Sequence, residues 1–156
     1  MVHDDAVWSG LAAWLSLREG RVEEAVDRFA AAWDRADELA RRDPVFLQAP
    51  GAWIAAGDPE RAVEAWHGCL SVLRRPERLR LALAVWDGLD PLRDAVTRAE
   101  DPSRTLRFLV RTLRRGEAMA IVEARLDAQL GARVEQELFV AEQMYRLRRH
   151  DELLAW

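Results

Sequence analysis

The sequence contains no lysine and no asparagine, so all 23 basic residues are arginine. GC-rich coding would give such a bias, and no mechanism follows from it. One cysteine, Cys69, excludes an intramolecular disulfide. The histidines are only three, 3, 67 and 150, and His67 and Cys69 stand two positions apart, on different faces of any helix, so zinc-type spacing is missing. Valine, isoleucine and threonine together fill only 18 positions, too few to furnish a sheet. The longest uncharged run, residues 44–57, falls short of the roughly 20 residues a spanning helix needs and is interrupted by Pro50 and Gly51. The opening Met1-Val2-His3-Asp4-Asp5 is not a cationic-apolar leader, and the expectation is a cytoplasmic chain with no membrane span. A glycine-rich phosphate loop and a nucleophile elbow are both lacking. Carboxylates alternate with arginines, as in Glu23, Glu24, Asp27 and Arg28, the pattern of a solvated helix face. With no catalytic constellation in view, the chain is expected to be a non-enzyme with no cofactor and no metal.

What is present favours helix. Alanine, leucine, glutamate and arginine fill 84 of 156 positions. Hydrophobic residues make up 50% and charged residues 32%, a globular mixture on a chain long enough for one domain over residues 1–156. The net charge of −4 is spread unevenly, with the acid excess in the first third, which argues against bulk nucleic-acid binding. Four of the six prolines follow aspartate, at Asp43-Pro44, Asp58-Pro59, Asp90-Pro91 and Asp101-Pro102. An aspartate can accept from the free N–H groups of a first turn, and proline after it gives up no needed donor, so each pair marks a helix start. Glycines 20, 57, 116 and 131 follow apolar-periodic stretches and are expected to close helices. The resulting helices run over about 5–19, 21–42, 44–56, 59–74, 76–88, 91–100, 102–115, 117–130 and 133–149, with a stub from 151. Pro50 predicts a kink or break in the third. Connections this short fold consecutive helices back as antiparallel hairpins.

Internal repetition is the strongest signal. Residues 20–29, GRVEEAVDRF, align without a gap on residues 57–66, GDPERAVEAW, and weaker copies begin at Asp90, Gly116 and His150. A step near 34 residues indicates stacked helical hairpins. At Gly20, Ala25, Phe29 and Ala32, and again at Gly57, Ala62, Trp66 and Cys69, the chain resembles the tetratricopeptide (TPR) repeat family. The resemblance implies an all-α fold, an α-solenoid of antiparallel helical hairpins with about four and a half irregular repeats, whose first helices line a concave groove. Counting back from each closing residue, it would turn Trp14 and Leu17, Ile54, Leu83 and Trp86, Val110 and Leu113, and Met144 and Leu147 toward that groove.

Arginines 104, 107, 111, 114 and 115 occur between Pro102 and Gly116 without one acid, at steps that place them on one face of a helix. Neutralisation by neighbouring acidic helices is the plain reading; an anchor for carboxylates or phosphates is the functional one. Arg18, Arg114 and Arg148 each stand two before the expected closing residue of a helix, where similar repeats point groove side chains. Arg74, Arg75, Arg78 and Arg80 are a second cluster around Glu77. The sequence therefore predicts an interaction module that holds a peptide or helix of a protein partner. Apolar contact would come from Trp14, Trp86 and Met144, and acidic groups would be selected by Arg18, Arg107, Arg111, Arg114 and Arg148. The alternative is a self-associating structural domain, since Leu153-Leu154-Ala155-Trp156 leaves an apolar end for another copy to cover. Nucleic-acid recognition by the 104–115 stripe ranks third.

Overall fold

Aspartates start many of the helices. Asp43 accepts from the Val45 amide at 3.0 Å, Asp58 from the Arg61 amide at 3.1 Å and Asp101 from the Ser103 amide at 2.9 Å. The fourth Asp-Pro pair behaves differently, because Asp90 is already in the first turn of its helix and pairs with Arg93. In this computed structural model residues 2–156 are described, and they form eleven α-helices and one 3-10 turn with no strand among them. The helices are α1 (Val2–Arg18), α2 (Val22–Arg35), α3 (Glu38–Arg41), α4 (Ala49–Ala55), α5 (Pro59–Val72), α6 (Pro76–Gly88), α7 (Asp90–Arg98), α8 (Ser103–Arg111), α9 (Arg115–Arg125), α10 (Ala128–Arg146) and α11 (His150–Ala155). The 3-10 turn covers Pro44–Gln48 and ends just ahead of Pro50, which is the break expected there. Pro50 sits in the first turn of α4, where a missing N–H costs no helical bond.

Three expected boundaries are corrected. The helix predicted over 21–42 divides at Ala36, because Ala36 turns extended and Asp37 caps a new helix by accepting from the Ala40 amide at 2.7 Å. Gly116 does not close a helix but lies in the first turn of α9, and Gly131 lies inside α10. Leu126, at φ +54°, and the Asp127 cap make the α9–α10 boundary instead.

Four helix ends share one device: a left-handed residue followed by an amide that reaches back five positions. Gly20, Gly57, Leu113 and Arg148 hold the positive φ, and the amides of Arg21, Asp58, Arg114 and Arg149 donate to Ser16, Trp53, Leu109 and Met144 carbonyls at 2.8 to 3.0 Å. Each reverses the chain, so α1 packs on α2, α4 on α5, α8 on α9 and α10 on α11. Between α6 and α7 the chain turns without a left-handed residue, at Leu89 (φ −120°). Small side chains permit the close approach: Ala13 on α1, Ala25 on α2, Ala52 on α4 and Ala62 on α5 are all completely buried.

Aromatic rings join successive pairs. Trp66 of α5 is fully buried, stacked on Trp86 of α6 at 5.9 Å and met edge-on by Phe108 of α8 at 5.5 Å. Removing a side chain of that size from such a site costs about 3–5 kcal/mol.

Candidate partner-binding surfaces

The first helices of the first three hairpins enclose an apolar groove. A cleft of about 550 Å³ runs between the end of α1, the 3-10 turn with α4, and α6, and Leu17, Leu47, Leu81, Val85 and Leu89 line it. Among the described residues its lining includes no charged side chain, and Gln48 is the one polar side chain there. Leu81, on the groove lining, is 46% exposed. Leu17 falls where the repeat register put it. Ile54, Leu83 and Trp86, expected in the groove, do not line it; on α6 Leu81 and Val85 face the cleft instead, and Leu47 enters from the 3-10 turn, for which the repeat register made no allowance.

A second, smaller cleft of about 200 Å³ lies between the end of α5 and α8. Arg74, Arg104, Arg107 and Arg111 line it over an apolar floor of Leu79 and Phe108. Burial first, then the positive charges of Arg74 and Arg107, lowers the Arg111 pKa below its ordinary value. A third opening, of about 220 Å³, is walled by Phe29, Trp33, Phe46 and Trp53. Both indoles carry a guanidinium over the ring, Arg41 over Trp33 at 5.1 Å and the lining residue Arg61 over Trp53 at 5.3 Å.

No family model, curated protein or solved structure matches the chain. The reading of these surfaces therefore rests on their own chemistry.

The eight predicted binding residues do not form one surface. Trp86 is corrected outright: it is 2% exposed, packed flat against Trp66, and has no face to offer a partner. Trp14 is half-buried on α1 with the Arg18 guanidinium 5.2 Å above its ring, a pairing that the four-residue helical spacing makes legible. Arg107 and Arg111 do come together, in the second cleft. Arg114 is a structural partner, donating to Asp87 at 2.5 Å and, through Nε, to Glu117 at 2.7 Å; Glu117 first, then Asp87, raises its pKa. Met144 is half-buried against the core, and Arg148 is exposed at φ +56°, closing α10. The proposed equivalence of Arg18, Arg114 and Arg148 fails with Gly116. Measured from the left-handed residues Gly20, Leu113 and Arg148, the counterparts of Arg18 are Arg111 and Arg146. Moreover α1 packs on α2, α3, the 3-10 turn and α4, whereas α10 packs on α8, α9 and α11, so Trp14 and Met144 share no neighbouring element.

Cys69 is buried, donates its thiol to the Phe46 carbonyl at 3.2 Å, and has its pKa pushed up to about 12 by burial, which keeps it protonated and unreactive. Among the described residues no three His, Cys, Asp or Glu side chains gather as a metal site, and no helix is long and apolar enough to cross a membrane.

Proposed function

We propose that the chain is a TPR-like interaction module of the cytoplasm, an α-solenoid of irregular helical hairpins that holds an apolar peptide or the apolar face of a helix from a protein partner and performs no catalysis. The observation that carries this reading is the uncharged groove of about 550 Å³ formed by α1, α4 and α6. A groove of that size accepts the i, i+3, i+4 anchors of an amphipathic segment, and the absence of charge in its lining selects apolar side chains. The hairpin turns at Gly20, Gly57, Leu113 and Arg148, and the packing of α2 on α4, of α5 on α7 and α8, and of α9 on α10, are what stacked repeats would require.

Selection of displayed peptides on the immobilised chain, followed by titration, tests this reading. Amphipathic apolar sequences should be enriched, and Leu81→Glu or Val85→Glu should weaken the winners at least about tenfold while the helical circular-dichroism signal is kept. Enrichment of sequences that bind both variants as tightly as the parent would overturn it.

One observation favours the alternative of self-association. Phe139 on α10 and Leu147, just past its end, are 60% and 66% exposed. Sedimentation over a range of concentrations decides, since a dimer built on this face would be lost in Phe139→Glu.

A further inference from the structure

The cleft between α5 and α8 concentrates positive charge that no ion pair among the described residues neutralises. Arg104, Arg107 and Arg111 follow steps of three and four along α8, and Arg74 comes down from the end of α5 to meet them. No carboxylate lines the cleft, and none of the four guanidinium groups makes an ion pair within 4.0 Å among the described residues. Asp101 acts on Arg104 only through space, and Arg74 spends one N–H on the Leu73 carbonyl. The Nε of Arg111 is shut off from water with no hydrogen-bond partner at all. Arginines elsewhere, such as Arg21, Arg28, Arg42, Arg93, Arg114 and Arg149, pair with acids, and those that do not are not gathered round one cleft. In a chain whose net charge is −4, an acid-free pocket of four arginines is a specific arrangement.

We infer that this cleft is a binding site for a phosphate monoester group. Mutual repulsion among four guanidinium groups is relieved by an anion, and guanidinium forks bind tetrahedral oxyanions through paired N–H donors. One carboxylate would bring a single charge to four cations. A phosphate monoester brings about −1.5 to −2 and three acceptor oxygens. The Ser71 hydroxyl donates to the Gly68 carbonyl, so the arginines alone supply the donors. Single-stranded nucleic acid is disfavoured because the aromatic at the site, Phe108, is 3% exposed and offers no ring for a base to stack on.

The test is calorimetric titration of the full chain with inorganic phosphate at constant ionic strength, and then with a phosphoserine peptide and its unphosphorylated twin. Saturable phosphate binding is expected, weakened at least about tenfold in Arg107→Gln and Arg111→Gln and unchanged in Arg133→Gln, outside the cleft. Arg107 is exposed, so its variant keeps the fold even if the Arg111 variant does not. Binding of the phosphopeptide should tighten as pH rises from 5 to 7, as the dianion forms near pH 6. Phosphopeptide binding that free phosphate displaces places the group on a protein, and phosphate binding without it places the group on a small molecule; both uphold the site. Absence of saturable phosphate binding, its survival in Arg107→Gln, or tight binding of an oligoribonucleotide that phosphate does not displace would overturn it. The cleft shares no lining residue with the apolar groove, so either reading can fail while the other stands.

Discussion

Leu126 sits in the left-handed region at φ +54° while its side chain is 93% exposed, so the backbone strain there is offset by no packing. A non-glycine residue in that region costs about 1–2 kcal/mol, part of which glycine returns through its freer unfolded chain. Leu126→Gly should therefore raise the stability by about 0.5–1 kcal/mol in denaturant titration. Leu113 has nearly the same φ but packs against the core, so Leu113→Gly should lower the denaturation midpoint. Equal shifts of the same sign in both variants would show that strain is not what distinguishes these turns. The pair also explains what the sequence hid. Gly20 and Gly57 announce their turns, because glycine is at home at positive φ. Leu113 and Arg148 take the same conformation with side chains that carry no such signal, and the nearby Gly116 drew the repeat register three residues too late.

At the level of elements, α5 and α8 are tied by a buried polar knot inside the aromatic cluster. The Trp66 indole N–H donates to Thr105 Oγ1 at 3.2 Å, and His67 Nε2 lies 3.0 Å from the same oxygen. Since the indole can only donate, the Thr105 hydroxyl accepts from it and still has both a proton and a second lone pair for His67 Nε2, so the direction of that bond follows the imidazole's tautomer. Burial first, then the charge of Arg104, lowers the His67 pKa, with Asp101 opposing. Between that depressed value and the ordinary one near 6.5, the unfolded chain binds more protons than the folded one. Stability is complete above about 6.5 and is lost as pH falls through it toward the folded-state value. Asp101, held below the usual carboxylate range by hydrogen bonds from the Ser103 side chain and backbone, stays charged across this window. Denaturation followed from pH 7.5 to 5 should show the loss, and His67→Gln should flatten it. Thr105→Val should cost about 1–3 kcal/mol by leaving the buried indole N–H unpaired. A pH profile unchanged in His67→Gln would remove the imidazole from the account. Periodicity placed Trp66 in the core, but it could not show that Thr105, 39 positions away, supplies its partner.

Across the whole molecule, packing falls off toward the C-terminal hairpin. α5 touches α3, α4, α7, α8 and the 3-10 turn and carries the fully buried Trp66, whereas the main contact of α11 is α10. All-helical character was legible from composition, and the starts of the 3-10 turn, α5 and α8 from Asp43, Asp58 and Asp101. The groove was not, because α6 turns Leu81 and Val85 toward it where the repeat register had put Leu83 and Trp86. When stability is chiefly a sum of contacts between neighbouring helices, opening is local and follows those contacts. Native-state hydrogen exchange should then find the slowest amides in α5 and amides in α11 exchanging at least about a hundredfold faster, since each 1.4 kcal/mol of opening free energy is a factor of ten. A single protection value from α1 to α11 would mean one all-or-none unit and would count against a stack of semi-independent hairpins. Addition of a groove-binding peptide should slow α1, α4 and α6 selectively, because those are the elements that enclose the uncharged cleft.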